Sequence, residues 1–311
     1  MNSLVEQVDD VLDDKIDLSK YSIGDYVNYT YDPAGNYKLT SAQCGSSNNP
    51  TSGIQQTTGL KWRILNLDEK NGTIDLISAS LTKTKVYFYG ILGYNNGPYF
   101  MNEICKAQYS NKKLGVEARS LNLEDMEKHL TTYGIIARNK CANSVKYGKT
   151  KTYTSAQYPS LYANQKGAGM NENKVPDSAL TKDGFIADPY EKSKKIAEIE
   201  PTTDKTSQIG KPLTVTHTYY QILINETNYG AAYKVLSNTN RYWVAARFVS
   251  AYSGYSSFGL RTAYTDSRGH NMFKSDGTEN DYSYYLRPVV TLPARLLSEN
   301  KVGVVWQLNV Q

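Results

Sequence analysis

A chain of 311 residues with 40% hydrophobic and 21% charged residues can bury one large or two modest cores, and it is too apolar for global disorder. The net charge of +5 is modest, and the lysines and arginines are scattered, so no nucleic-acid footprint is visible. No run is long enough to span a bilayer and no signal peptide is present, which taken literally describes a soluble chain that inserts in no membrane.

Tyrosine is the unusual count, 27 against 6 Phe and 3 Trp. An apolar ring with a polar tip suits half-exposed sheet faces and recognition surfaces. Tyrosine is also simply a good strand former, and composition alone leaves both readings open. The first twenty residues carry Glu6, Asp9, Asp10, Asp13, Asp14 and Asp17 against Lys15 and Lys20, so the remainder is more basic. Cys44, Cys105 and Cys141 allow either one disulfide with a free thiol or three thiols, and their spacing fits no zinc ribbon or redox pair.

In chain order, Leu4, Val5, Val8, Val11 and Leu12 fall on one stripe behind a capping Asn2 or Ser3, which predicts an amphipathic helix over residues 2–18. It is either the end of a longer stalk or a short terminal helix packed on the core. Residues 25–31 alternate as a strand, and a polar, Gly-rich loop runs to residue 59. Residues 60–67 and 73–79, joined through Asn71-Gly72, form the clearest hairpin in the chain. Residues 85–89 give another short strand. Between residues 93 and 111, Tyr99, Phe100, Ile104 and Cys105 share a helical face, which buries Cys105. A second helix covers residues 121–130, with Asn122 as its cap, Glu124, Asp125 and Glu127 after it, and Leu123, Met126 and Leu130 as its apolar side.

Residues 142–212 are rich in Lys, Thr, Ser, Asn, Gly and Pro without a sustained period, and read as a long surface insertion. A strand over residues 213–224 and a short helix over 229–236 bring the chain back. Residues 242–293 read as three or four antiparallel strands. Trp243, Ala245 and Arg247 point one way and Tyr242, Val244, Ala246 and Phe248 the other. Phe258, Leu260 and Thr262 alternate with Gly259, Arg261 and Ala263, and residues 286–290 close the set. Residues 302–310 form an apolar strand, placed either centrally or beside the N-terminal strand. No internal repeat appears.

Catalytic signatures are lacking. His129, His217 and His270 stand on separate predicted elements, which argues against a metal centre. No Gly-x-Ser-x-Gly, Walker or dinucleotide fingerprint has the right context. The acids at 124, 125 and 127 read as first-turn helix acids, and Asp276 and Asp281 as turn residues in a loop without EF-hand spacing. A glycosidase carboxylate pair is set in space and so is not visible in a sequence. Between residues 250 and 280 lie Tyr252, Tyr255, Tyr264, His270, Asn271 and Phe273, mixed with Ser, Gly and Asp. Such a mix resembles a paratope, with rigid rings beside adaptable polar groups, and suits a glycan or a protein epitope. Ordinary turn chemistry produces the same residues. Arg247, Arg261 and Arg287 read as arginines tying strands to carboxylates and loop carbonyls in preference to a ligand clamp.

Five pieces carry a resemblance: Ile23-Gly24-Asp25-Tyr26-Val27, Leu60-Lys61-Trp62-Arg63-Ile64-Leu65 with its hairpin, Gly93-Tyr94-Asn95-Asn96-Gly97, Ala118-Arg119-Ser120-Leu121-Asn122, and YWVAARFV with LRPVV. Together they resemble a family of bacterial surface domains, mostly from Gram-positive organisms. These are similar to the C-type-lectin-like fold of formylglycine-generating enzymes and of retroelement-diversified variable proteins. The resemblance implies an α+β fold of twisted antiparallel sheets, two main helices and long irregular loops tied together by adjacent termini. It covers both ends and leaves the insertion unmatched. It also implies that a hydrophobic, prepilin-like helix precedes Met1 in the full protein, that the chain lies outside the cell, and that Cys44 bridges Cys141 or Cys105 in an oxidising setting. Sulfatase-activating relatives use a late cysteine pair, and no cysteine follows Cys141.

The expectation is therefore a C-type-lectin-like domain over residues 21–311, after an N-terminal helix over residues 1–20. It acts as a non-catalytic extracellular binding or adhesion module, with Tyr252, Tyr255, Tyr264, His270, Asn271 and Phe273 as ligand contacts. No cofactor, no metal and no nucleic acid are expected. A structural subunit of a pilus-like appendage is the alternative, and a hydrolase with an unrecognised carboxylate pair stands third. Fold alone does not decide among them.

Overall fold

The computed structural model describes residues 17–39, 53–140, 145–157, 212–252, 254–274 and 278–309. The helix expected over residues 2–18 lies almost wholly outside them, as do Cys44, Cys141, Asp276 and most of the insertion. The chain is α+β, mostly strands with a few helices. Strands β1 (Tyr26–Val27), β2 (Trp62–Asp68), β3 (Thr73–Ser78) and β4 (Val86–Tyr89) lead into helix α1 (Gly90–Tyr109). Then come β5 (Ala118–Ser120), α2 (Leu123–Glu127), α3 (Thr132–Asn139) and the ribbon of β6 (Thr150–Gln157) with β7 (Pro212–Thr216). After β8 (Ile222–Leu223), α4 (Glu226–Tyr229) and α5 (Tyr233–Leu236), the late strands are β9 (Tyr242–Ala251), β10 (Ser256–Ala263), β11 (Asp266–Lys274), β12 (Asp281–Tyr284), β13 (Pro288–Pro293), β14 (Leu297–Val302) and β15 (Val305–Leu308).

One sheet has seven strands in the order β14-β15-β1-β2-β3-β13-β5, and a second has four in the order β8-β11-β10-β9. The termini meet as expected: β15 runs parallel to β1, Tyr26 opposite Val305. Trp306 fixes that junction, its indole Nε1 donating to Asp25 at 2.9 Å and its ring lying 4.6 Å from Tyr21. The β2–β3 hairpin turns at Gly72 with a φ of 59°, the conformation that favours glycine there. Asp68 holds the turn by accepting from the backbone and side chain of Asn71.

Residues 286–290 do not close the late sheet. Β13 belongs to the seven-stranded sheet, between β3 and β5. The expected strand at 25–31 shrinks to two residues, and the one at 213–224 divides into β7 and β8. Between them the backbones of Thr218 and Tyr219 turn back to donate to Val249, which ends regular pairing. The helix at 229–236 is instead a run of short turns from Glu226 to Leu236, and α3 was not expected at all.

Helix α1 packs against both sheets, and two glycines one turn apart let it approach β4 and the four-stranded sheet closely. A Cβ at Gly93 would come within 2.8 Å of Met272 and 3.0 Å of Phe88, and one at Gly97 within 2.6 Å of Leu260. Its apolar face, including Phe100, Ile104 and Cys105, joins Trp62, Leu76, Trp243 and Val290 in one core. Leu65, Ile77 and Val289 face the opposite way, into a second core with Tyr220, Tyr229, Tyr242 and Val244. With both faces covered, all ten residues of β9 are buried. Between Val244 and Arg247, β9 carries two residues that have no partner on β10. An even insertion preserves side-chain parity, so Trp243 and Ala245 stay in the first core and Val244 and Ala246 in the second. The freed N–H of Ala245 donates to Leu121 at 2.7 Å.

Candidate functional site

The six residues expected to bind a ligand do not converge. Tyr252 and Tyr255 flank the β9–β10 turn, their rings stacked at 5.0 Å with Lys274 over Tyr255 at 4.6 Å. Tyr264 lies past the other end of β10, nine residues on, which a strand spreads over roughly 30 Å. Phe273 is 1% exposed, stacked on Phe258 at 4.7 Å and set edge-on to Tyr94. It is a core residue, because a bulge in β11 turns it toward α1. Asn271 pairs with Gly259 and His270 with Leu260, which places those two on opposite faces.

Tyr264 and His270 do join a different set of residues. Asp266, Arg268 and His270 alternate along one face of β11. Tyr282 and Tyr284 alternate along β12 and are held there by pairing with Phe88 and Val86 of β4. The His270 ring lies 4.5 Å from Tyr282 and 5.1 Å from Tyr284, and the two tyrosine rings are within 15° of parallel. Tyr284 is anchored from beneath by Trp243 at 4.9 Å, and the Trp243 indole donates to the Val86 carbonyl at 2.8 Å. All three upper rings are half-buried.

Beside the rings sits a charged network. Asp266 accepts from Arg268 through Nε at 2.9 Å and Nη2 at 2.6 Å, and from Gln221 at 2.8 Å. Arg241 approaches the same carboxylate at 3.5 Å, donates to Thr262 Oγ1 at 3.1 Å and lies 5.4 Å over the Tyr264 ring. Burial and then the two guanidiniums push the His270 imidazole down to about 4, against the opposing pull of Asp266. His270 is therefore neutral near pH 7, with Nε2 3.4 Å from the Tyr284 hydroxyl. Burial also raises Tyr282 and Tyr284. Neutral rings and fixed donors suit stacking and hydrogen bonding, while the Asp266 carboxylate is engaged by three side chains in an orienting role.

The other groups weighed from sequence are structural. Arg247, Arg261 and Arg287 are buried, with guanidiniums 5.1 Å over Tyr94, 4.6 Å over Tyr220 and 5.3 Å over Tyr242. Arg261 donates to the Thr218 carbonyl, and Arg287 to those of Val235 and Ser78. Asp75 and Asp125 share Arg119 in a mostly buried network, which half-exposed Lys128 joins through Asp75. Asn122 caps α2 in a capping box with Asp125. His217 accepts from the Ala251 N–H, and Cys105 is a buried free thiol. Among the described residues no group of three or more His, Cys, Asp or Glu could hold a metal ion, and no helix is long and apolar enough to cross a membrane.

No family model, curated protein or solved structure matches this chain.

Arg241, Arg268, Tyr282 and Tyr284 are the site residues that sequence reasoning missed. The signal was period-two spacing in two short runs, Asp266-Ser-Arg268-Gly-His270 and Tyr282-Ser-Tyr284. Nothing in either run says that the two strands lie together.

Proposed function

We propose that this chain is a non-catalytic binding module, extracellular or at the cell surface, that takes a glycan on the Tyr282–Tyr284–His270 ring cluster. One observation carries the proposal: three half-buried rings, His270, Tyr282 and Tyr284, lie together with centroids 4.5–6.2 Å apart, and the Asp266-bound guanidiniums of Arg241 and Arg268 and the tyrosine hydroxyls supply donors on the same side. Sugars present an apolar face to aromatic rings and hydroxyls to such donors. A C-type-lectin-like architecture is part of this proposal. Its supports are the adjacent terminal strands, the principal helix packed on a mainly antiparallel seven-stranded sheet and an antiparallel four-stranded one, and the long insertion leaving through a ribbon.

A glycan array with the wild-type chain and Tyr282→Ala is the test. Tyr282 is the better of the two tyrosines to change, because Tyr284 also packs on Trp243. Loss of one stacking ring is expected to weaken a retained sugar roughly three- to tenfold, with the circular dichroism spectrum unchanged. An array on which no sugar is held, or on which Tyr282→Ala binds like wild type, sinks the proposal.

A further inference from the structure

We infer that the ligand of this patch is an acidic sugar, one carrying a carboxylate on the ring that stacks. This rests on the binding function proposed above and narrows it. Two guanidiniums, Arg241 and Arg268, lean on the single carboxylate of Asp266, so the network keeps one positive charge in excess. Arg268 spends its Nε/Nη2 edge on Asp266, which leaves the end-on pair, one N–H each of Nη1 and Nη2, as the second fork, and its side chain is 36% exposed against 8% for the acid. The face offered to solvent is thus the cationic one. Arg241 is held at 3.5 Å from Asp266, too long to saturate its donors, and is oriented by Thr262 and the Tyr264 ring. Burial is the main cause of the depressed His270 imidazole, with Arg241 and Arg268 adding to it, and exposed Asp281 is the acid that acts on Tyr282 from the other side of the rings. A planar carboxylate suits a guanidinium fork, and one such group neutralises the one surplus charge.

The experiment is an array of matched oligosaccharides, uronate-containing sugars beside their neutral methyl esters, read with wild type and Arg268→Gln at low and high salt. The acid form is expected to bind roughly two- to fivefold more tightly than its ester. Arg268→Gln should shrink the acid-to-ester ratio toward one, whatever it costs the ester itself, because the ratio cancels the donors that Arg268 lends to hydroxyls. High salt should weaken the acid alone, since a half-exposed pair is screened; this reading needs no substitution and survives an Arg268→Gln chain that fails to fold. Retention of neutral sugars with equal affinity for acid and ester overturns this inference and leaves the glycan proposal standing. Retention of neither form overturns both.

Discussion

The ring of Phe248 lies across the backbone of Gly269, two strands away in the same sheet. A Cβ at 269 would come within 2.0 Å of Phe248 Cε1, and one at Gly259, on the strand between, within 2.3 Å of the same atom and of the His270 carbonyl. Neither glycine has a positive φ, so the requirement for glycine is space. Gly269→Ala is expected to destabilise by about 2–3 kcal/mol, read as a lower denaturant midpoint. In a Phe248→Ala background the same change should cost little, because the ring it strikes is gone. Equal costs in both backgrounds would show that the ring is not what excludes the methyl group.

Three histidines, His129, His217 and His270, are lowered by burial and give the fold an acid-sensitive window. Burial pushes His217 and His270 down to about 4 from an ordinary 6.5. A folded-state value below the unfolded one means that the unfolded chain takes up protons first as pH falls. The stability from both is therefore complete above about 6.5 and lost progressively down to about 4. His217 is fully buried and accounts for roughly 3 kcal/mol of this; half-buried His270 accounts for less, after screening. Glu103, raised by burial, acts in the opposite sense. Melting temperature should drop between pH 7 and 4.5, and His217→Asn, whose Oδ1 stands where Nδ1 accepts from Ala251, should flatten the slope. An unchanged slope in that variant would remove His217 from the explanation.

Local signals in this sequence were reliable where one element decided the outcome. The Asn71-Gly72 hairpin, the Asn122 cap and the facing of β9 follow from turn chemistry, capping and period two, and each needs only its own residues. Pairing between distant segments was less legible. Val289 was assigned to the wrong sheet because an apolar strand buried on both faces has no pattern naming its neighbours. Phe273 was placed on the surface because the β11 bulge, which shifts its parity, leaves no mark in composition. The candidate site was half visible: Tyr264 and His270 stood out by residue type. Tyr282 and Tyr284 are fixed there by the β4–β12 pairing, Arg268 by sharing a face of β11 with His270, and Arg241 by reaching Asp266 from the start of β9.

Cys105 is expected to be inert while the chain is folded. Its thiol is fully buried, and burial raises its pKa far above the ordinary range, so almost no thiolate exists to attack a reagent. Peptide mapping after brief iodoacetamide treatment should find Cys105 unmodified in buffer and labelled in denaturant. Rapid labelling in buffer would mean that α1 opens readily from the sheets that cover it.

Arg287 joins segments that the sequence separates widely. Its guanidinium donates to Ser78, 209 residues away, and to Val235, and lies 5.3 Å from the Tyr242 ring centroid. It thereby clamps β3, α5 and β9 around the second core at one point. Two carbonyls and a ring face solvate the charge without a carboxylate, which a planar fork can do and an ammonium cannot. Arg287→Lys keeps the charge but leaves one buried carbonyl unpaired and a strongly hydrated ion in an apolar site, so it is expected to destabilise by about 2–4 kcal/mol. Arg287→Met removes the charge as well and should be milder, because only the carbonyls are then unsatisfied. Chemical denaturation of the two variants orders them. A lysine variant as stable as wild type would mean that the guanidinium fork is not what holds these segments together.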